Sequence, residues 1–317
     1  MKPITPTALR QTARIAPIGY AAGIILLLVL PWVVNNYVVH ILTLVGIYVI
    51  LAASLDLVLG TTGILQLGHA GFYGLGAYTG AIISTRLFPD QWLGFWIGLP
   101  IVVLVCMAAG FIVGAPTLRL KGHYFGLATL GFGEIIYGIL LNWESVTGGS
   151  FGIKSIPSPQ IGSFDLGQRE FSFYLIWFSV ASAMWMVYLL RKSRFGRFWR
   201  AVREDEIVAS TMGISVYNQK IAALMISAGI AGVAGSLFAH YVSYISPMNF
   251  TLDESILILS MVIVGGRDRL PGVVLGSFLL VLLPEILRPV AEYRLLIYGL
   301  ILAVMIIYRP EGIIGKR

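Results

Sequence analysis

Residues able to do chemistry are few in this chain of 317 residues, and they form no catalytic or metal-binding set. The four histidines (His40, His69, His123 and His240) and the single Cys106 lie far apart, without the short spacings that bring metal ligands together. No serine, histidine and carboxylate make a nucleophile–base arrangement. A phosphate-binding loop of the form G-x4-G-K-[ST] is missing, and the nearest string, Gly152-Ile153-Lys154-Ser155, lacks the Gly-Lys step. What remains are isolated ionisable groups inside apolar stretches: Asp56, His69 and Glu134.

The elements that hold these groups follow from composition. The chain is 57% hydrophobic and 12% charged, about half the charged fraction of roughly 25% usual for a soluble domain. Its apolar residues arrive in long blocks, such as Ile24 to Val34 and Ile101 to Val113, so lipid must be the solvent for much of the surface. In lipid every backbone polar group must be satisfied internally, which leaves helices or a closed barrel. Barrel strands would be about 10 residues of alternating hydrophobicity; continuous apolar blocks argue for helices. The fold class is therefore all-α, a polytopic integral membrane helix bundle.

With about 20 residues per span, there are about ten segments. Their approximate cores are Ile18 to Val34, Val38 to Leu59, Gly71 to Leu87, Trp92 to Ala115, Tyr124 to Leu141, Phe171 to Leu190, Asn218 to His240, Ser255 to Val264, Gly272 to Leu287 and Leu295 to Tyr308. The eighth is too brief to span alone. The membrane domain covers 18–308, between a basic N-terminal tail (1–17), read as retained because no small-residue cleavage site clearly follows it, and a C-terminal tail (309–317).

With both termini in the cytoplasm, seventeen of the 22 basic residues fall inside and five outside. Such a bias is expected of cytoplasmic loops. It accounts for the net charge of +7 without nucleic acid. Two loops stand out: 142–170 outside, rich in Gly, Ser and Pro, and 191–216 inside, long and charged. Small residues recur four apart at Gly76/Gly80, Gly94/Gly98, Gly110/Gly114, Gly122/Gly126 and Gly272/Gly276, a spacing that lets membrane helices approach closely.

The inner loop reads from Ser193 through Arg203, Glu204, Asp205 and Glu206 to Gly213. Glu204 to Met212 is predicted to be helical, with acids in the first turn, an apolar stripe of Ile207, Val208, Thr211 and Met212, and a stop at Gly213. Such a helix suits either a groove on another protein or the lipid surface. Around His69, the run from Gly60 to Gly68 holds three glycines, two threonines and Gln66, which weakens a continuous helix. A broken helix can aim backbone dipoles at a zwitterion. Gln66, Gly68 and His69, with Thr129 and Glu134 in a second small and polar stretch, are candidates for a translocation path, since ionisable groups at membrane depth are costly and face a cavity or partner. The alternative is a tight helix crossing with His69 bonded to a neighbour and Glu134 a buried hydrogen-bond anchor. Asp56 is expected to pair with Thr61 or Thr62, and His40, His123 and His240 to be solvated or capping.

The stretch Arg203 to Gly213 resembles the coupling loop of permeases of ATP-driven (ABC) importers, and in detail the branched-chain amino acid permeases of the LivM type. Further stretches agree in order: Gly68 to Thr79, Leu118 to Glu134, Thr147 to Gly152, Val264 to Gly266, Leu283 to Glu285 and Tyr308 to Gly312. They span roughly residues 40 to 315. One departure is Arg267-Asp268-Arg269, where such permeases usually carry small residues. The resemblance implies a non-enzymatic transport subunit in the cytoplasmic membrane that moves branched-chain or related hydrophobic amino acids by alternating access. It implies as partners a sister permease of the LivH type, two ATPase subunits and an external substrate-binding protein. It also implies that Arg203, Glu204, Asp205, Glu206, Ala209 and Gly213 couple to the ATPase. No cofactor is expected on this chain, ATP and Mg being used by its partners. Rival readings are the same family carrying urea, short amides or aromatic acids, or an ion-coupled secondary transporter.

Overall fold

The structure, a computed structural model, describes residues 29–89, 93–118, 123–162, 164–286 and eight scattered positions between 296 and 313. Its helices are α1 (Asn36–Thr62), α2 (His69–Ile82), α3 (Leu93–Thr117), α4 (His123–Asn142), α5 (Glu144–Thr147), α6 (Arg169–Lys192), α7 (Arg194–Glu204), α8 (Glu206–Thr211), α9 (Val216–Val242), α10 (Leu252–Gly265) and α11 (Leu270–Ile286). Two-residue strands, β1 (Ile153–Lys154) to β4 (Tyr244–Ile245), are confined to the connections.

Among the described residues, six helical stretches are long and apolar enough to cross a membrane. They lie at Asn36–Thr62, Leu93–Thr117, Tyr124–Asn142, Arg169–Lys192, Val216–Val242 and Pro247–Gly265. The shorter α2 is extended by a π turn over Ile83–Leu87. The eighth predicted segment gains length because a 3-10 turn, Pro247–Phe250, precedes α10. The protein is thus an all-helical membrane bundle. The tail 1–17, most of the first predicted segment and most of the last segment and C-terminal tail lie outside the described residues.

The bundle is built around α1 and α9, which are buried over most of their length. Helix α9 packs on α2, α3 and α1; α1 also packs on α6, α10 and α11. The small residues stand where helices cross. A Cβ added to Gly76 would overlap the Gly232 backbone, and one on Gly80 would strike Ser236, so two turns of α2 lie directly on α9. Gly110 and Gly114 of α3 meet Met225, Ala228 and Leu224 of the same helix. Gly272 and Gly276 bring α11 onto Gly265 and Met261 of α10. Since lipid tails are as apolar as the side chains, close packing of this kind replaces the hydrophobic drive between helices.

The connection between α4 and α6, described over 143–162 and 164–168, is folded against the bundle. Thr147 Oγ1 donates to Leu140 O over 2.7 Å, Trp96 Nε1 donates to Gln160 O over 2.7 Å, and β1 pairs antiparallel with β4.

Two expectations are corrected. His240 is neither solvated nor a cap: it is 2% exposed, with Nδ1 2.7 Å from Ser236 O, Nε2 3.1 Å from Ser84 Oγ, and its ring edge-on to Phe95. The crossing of α2 and α9 at small residues draws it inside. Asp56 does not pair with Thr61 or Thr62. Its carboxylate meets Arg191 at 2.5 Å, while Thr61 turns to Asp268 and Thr62 bonds Val58 O.

Candidate functional site

Two places combine unusual polarity with a position at the edge of the bundle: the exposed α7–α8 hairpin between α6 and α9, and a narrow cleft, closed to water, where α2, α4 and α10 meet.

Helix α7 alternates bases with Phe195, Phe198, Trp199 and Val202. Trp199 is fully buried and donates to Gln219 O over 3.1 Å, fixing the start of α9. Arg200 Nη2 donates to Arg191 O over 2.8 Å, which folds α7 back onto the end of α6. The helix predicted over Glu204 to Met212 begins later, because Asp205 takes an extended conformation (φ −158°, ψ 114°) and breaks the run in two. Glu204 therefore closes α7, and Asp205 caps α8 by accepting from the amides of Ile207 (2.8 Å) and Val208 (3.0 Å). A capping acid satisfies amides that lack helical partners and complements the helix dipole. At the other end Gly213 adopts φ +81°, a left-handed stop. Glu206 holds Lys220 of α9 at 2.5 Å, and Ala209 is the residue turned inward.

That arrangement leaves three large apolar side chains pointing out. Ile207 is 76%, Val208 57% and Met212 77% exposed, on a helix tethered at both ends. Arg203 turns the other way: its guanidinium donates to Gly60 O at the end of α1 and approaches the Asp268 carboxylate at 3.9 Å.

The cleft forms because α1 ends at Gly63 (φ +77°) and the chain returns as an extended segment over 63–68 before α2 starts. His69, the first residue of α2, lies beside Ser54 with Nε2 2.8 Å from Oγ. Ser54 is eight residues before the end of α1, so α2 begins about 12 Å inside the bundle. Helix α10 starts at the same place: Ser255 Oγ accepts from the Ala70 amide over 2.9 Å. Neither N-cap residue, Gly68 or Thr251, makes a side-chain capping bond, and Ser255 takes the Ala70 amide instead, so two helix N-termini meet at one cleft. Gly68, Gly71, Leu130, Gly133, Glu134, Thr251 and Ser255 line it.

The predicted path residues divide. Glu134 is exposed at the cleft. Gly68 presses on Thr129 O and Gly133, a contact that leaves no room for a Cβ. Thr129 is buried and accepts from the Leu67 amide over 3.1 Å, so it holds the extended segment on α4. His69 is fully buried and serves the crossing of α1 and α2. The fully buried Gln66 side chain has no hydrogen-bond partner among the described residues.

Sequence reasoning missed Arg191, Asp268, Ser54 and Ser255. The partners of Asp56 are 135 and 212 residues away, so no spacing rule points to them. The Arg267-Asp268-Arg269 departure was the one local signal.

The family described as "branched-chain amino acid transport system / permease component" matches residues 37–308. The chain is 38% identical to the high-affinity branched-chain amino acid transport system permease protein LivM of Escherichia coli (strain K12), across 92% of this chain and 73% of that protein. The chain belongs to the branched-chain amino acid permease family. This permease is also 25% identical to a probable LivM permease of Methanocaldococcus jannaschii over 86% of its length, covering 91% of that protein. It shares the same identity and coverage with the permease protein LivH of Salmonella typhimurium, of which it covers 93%. A second permease type of these systems is thus related to it. No solved structure matches this permease significantly.

Proposed function

We propose that this permease is one half of the membrane pathway of an ATP-driven importer in the cytoplasmic membrane, carrying branched-chain or related hydrophobic amino acids inward. Ten spans with both termini cytoplasmic, a sister permease of the LivH type, two ATPase subunits and an external binding protein complete this reading. ATP and Mg are used on the ATPase chains.

The observation that carries it is the set of exposed side chains on α8. Three large apolar groups stand out on a capped, tethered helix, a form that suits insertion into a protein groove. The names of the related proteins support the cargo class, and two helix N-termini meeting at a closed cleft with Glu134 on its rim support a path that handles a zwitterion once it opens. In this mechanism ATPase closure pushes α8, and the bundle alternates between outward and inward access. Such a shift is limited by the differential affinity of the ATPase for the two states.

Affinity purification of the tagged protein in mild detergent, followed by mass spectrometry, tests the assembly. Recovery of ATPase chains and a second permease is expected, and their loss is expected for an Ile207→Asp, Met212→Asp variant. A solitary chain that transports in liposomes without ATP would replace this reading with a secondary transporter.

A further inference from the structure

The α7–α8 hairpin and the cleft lie at opposite ends of α10, and one residue outside both bridges them. Asp268 sits in the turn between α10 and α11 with φ +60°, a left-handed conformation uncommon for a residue with a Cβ. Its amide donates to Asp56 Oδ1 over 2.9 Å. Its carboxylate accepts from Thr61 Oγ1 (3.4 Å) and faces two guanidinium groups, Arg191 Nε at 3.7 Å and Arg203 Nη1 at 3.9 Å. Arg191 lies in the last turn of α6 and is bound to Asp56; Arg203 lies in the last turn of α7, two residues before Asp205, the cap of α8. Gly60 makes the approach possible, since a Cβ there would lie 2.6 Å from the Asp268 amide nitrogen.

Four charged side chains, two of each sign, therefore join α1, α6, α7 and the α10–α11 turn. The Asp56–Arg191 half is buried, with side-chain exposures of 0% and 10%. The Asp268–Arg203 half is partly open, at 27% and 37%. A buried pair is anchored; a partly open one exchanges with water more readily. From the turn, α10 runs as one unbroken helix of 14 residues to Thr251 and Ser255 at the cleft.

We propose that Asp268 is a positioning residue that transmits displacement of the α7–α8 hairpin to α10, and through α10 to the cleft. This rests on the reading of α8 as the ATPase contact. The Arg203–Asp268 pair is the link, and Asp56–Arg191 is the fixed mount that holds the turn in its left-handed form.

The test uses the complete complex with ATPase and binding protein in lipid nanodiscs for hydrolysis and labels, and in vesicles for uptake. Asp268→Asn removes the charge while keeping the amide bond to Asp56 and a residue type that tolerates the left-handed conformation. Labels at Thr211→Cys and Asp253→Cys report α8 and the cleft end of α10; Cys106 is buried and stays unlabelled. In the wild type both labels respond to ATP. In Asp268→Asn the α8 label still responds, the α10 label does not, and transport per ATP falls about fivefold or more, the range of ordinary coupling energies. Arg203→Gln gives the same phenotype, and the double variant is no worse than either single. A wild-type ratio in Asp268→Asn with both labels moving, while Glu204→Lys, Gly213→Pro uncouples, overturns the link and leaves the α8 reading standing. A wild-type ratio in that double variant overturns both.

Discussion

The main-chain amide of Asp268 donates to the Asp56 carboxylate over 2.9 Å, tying the α10–α11 turn to α1 beside the Arg191 guanidinium. Asp56 has no exposed surface, so its charge depends on these partners. Removing one partner of a buried pair leaves an uncompensated charge, which costs about 3–5 kcal/mol. Arg191→Met is therefore expected to lower the thermal midpoint of the detergent-solubilised protein sharply or to abolish expression. Asp56→Asn with Arg191→Met, which removes both charges, is expected to recover part of the loss. An unchanged midpoint for Arg191→Met would remove the pair from the list of stabilising contacts.

The crossing of α2 and α9 makes a contrasting prediction. Gly76 faces the Gly232 backbone directly, whereas a Cβ on Gly138 would meet nothing within 4 Å. Overpacking of a tight contact costs about 1–3 kcal/mol. Gly76→Val should therefore reduce the folded fraction in size-exclusion profiles, while Gly138→Ala, in open space within α4, should leave it unchanged or raise it, since Ala is favoured over Gly in a helix by about 0.5–1 kcal/mol. Equal behaviour of the two would mean that α2 and α9 do not meet there.

Helix α8 has six residues and depends on its cap. Asp205→Ala should cost about 1 kcal/mol of local helix stability. The expected result is weaker co-purification of ATPase subunits, with hydrogen exchange of the Ile207 and Val208 amides accelerated about fivefold. Asp205→Asn caps equally well and should behave as wild type. A defect in Asn equal to that in Ala would assign Asp205 a charge contact with a partner instead.

Glu134 lies exposed at the cleft and makes no ion pair among the described residues. Glu134→Gln should leave expression and assembly intact. Uptake by reconstituted vesicles should fall about tenfold or more, the loss of one charge-assisted hydrogen bond of about 1.5–3 kcal/mol. Normal uptake with normal concentration dependence would take Glu134 off the path.

Sequence by itself determined the class of this protein. Long apolar blocks with few charges leave only membrane helices, and residues four apart necessarily share a helix face, so the pairs at Gly76/Gly80 and Gly272/Gly276 marked crossings before any fold was known. The stop at Gly213 was legible for the same local reason. The start of α8 is less legible, because Glu204, Asp205 and Glu206 are all acids that suit a first turn, and only the structure shows Asp205 extended and accepting from the Ile207 and Val208 amides.

What tertiary structure alone decided are the pairings of polar groups. Asp56 with Arg191, His69 with Ser54, His240 with Ser84 and Ala70 with Ser255 join residues that no period relates. The meeting of α2 and α10 at one cleft likewise depends on where two interrupted helices stop inside the bundle. Local composition sets which groups must find partners in lipid; only the packing of the helices determines which partners come within reach.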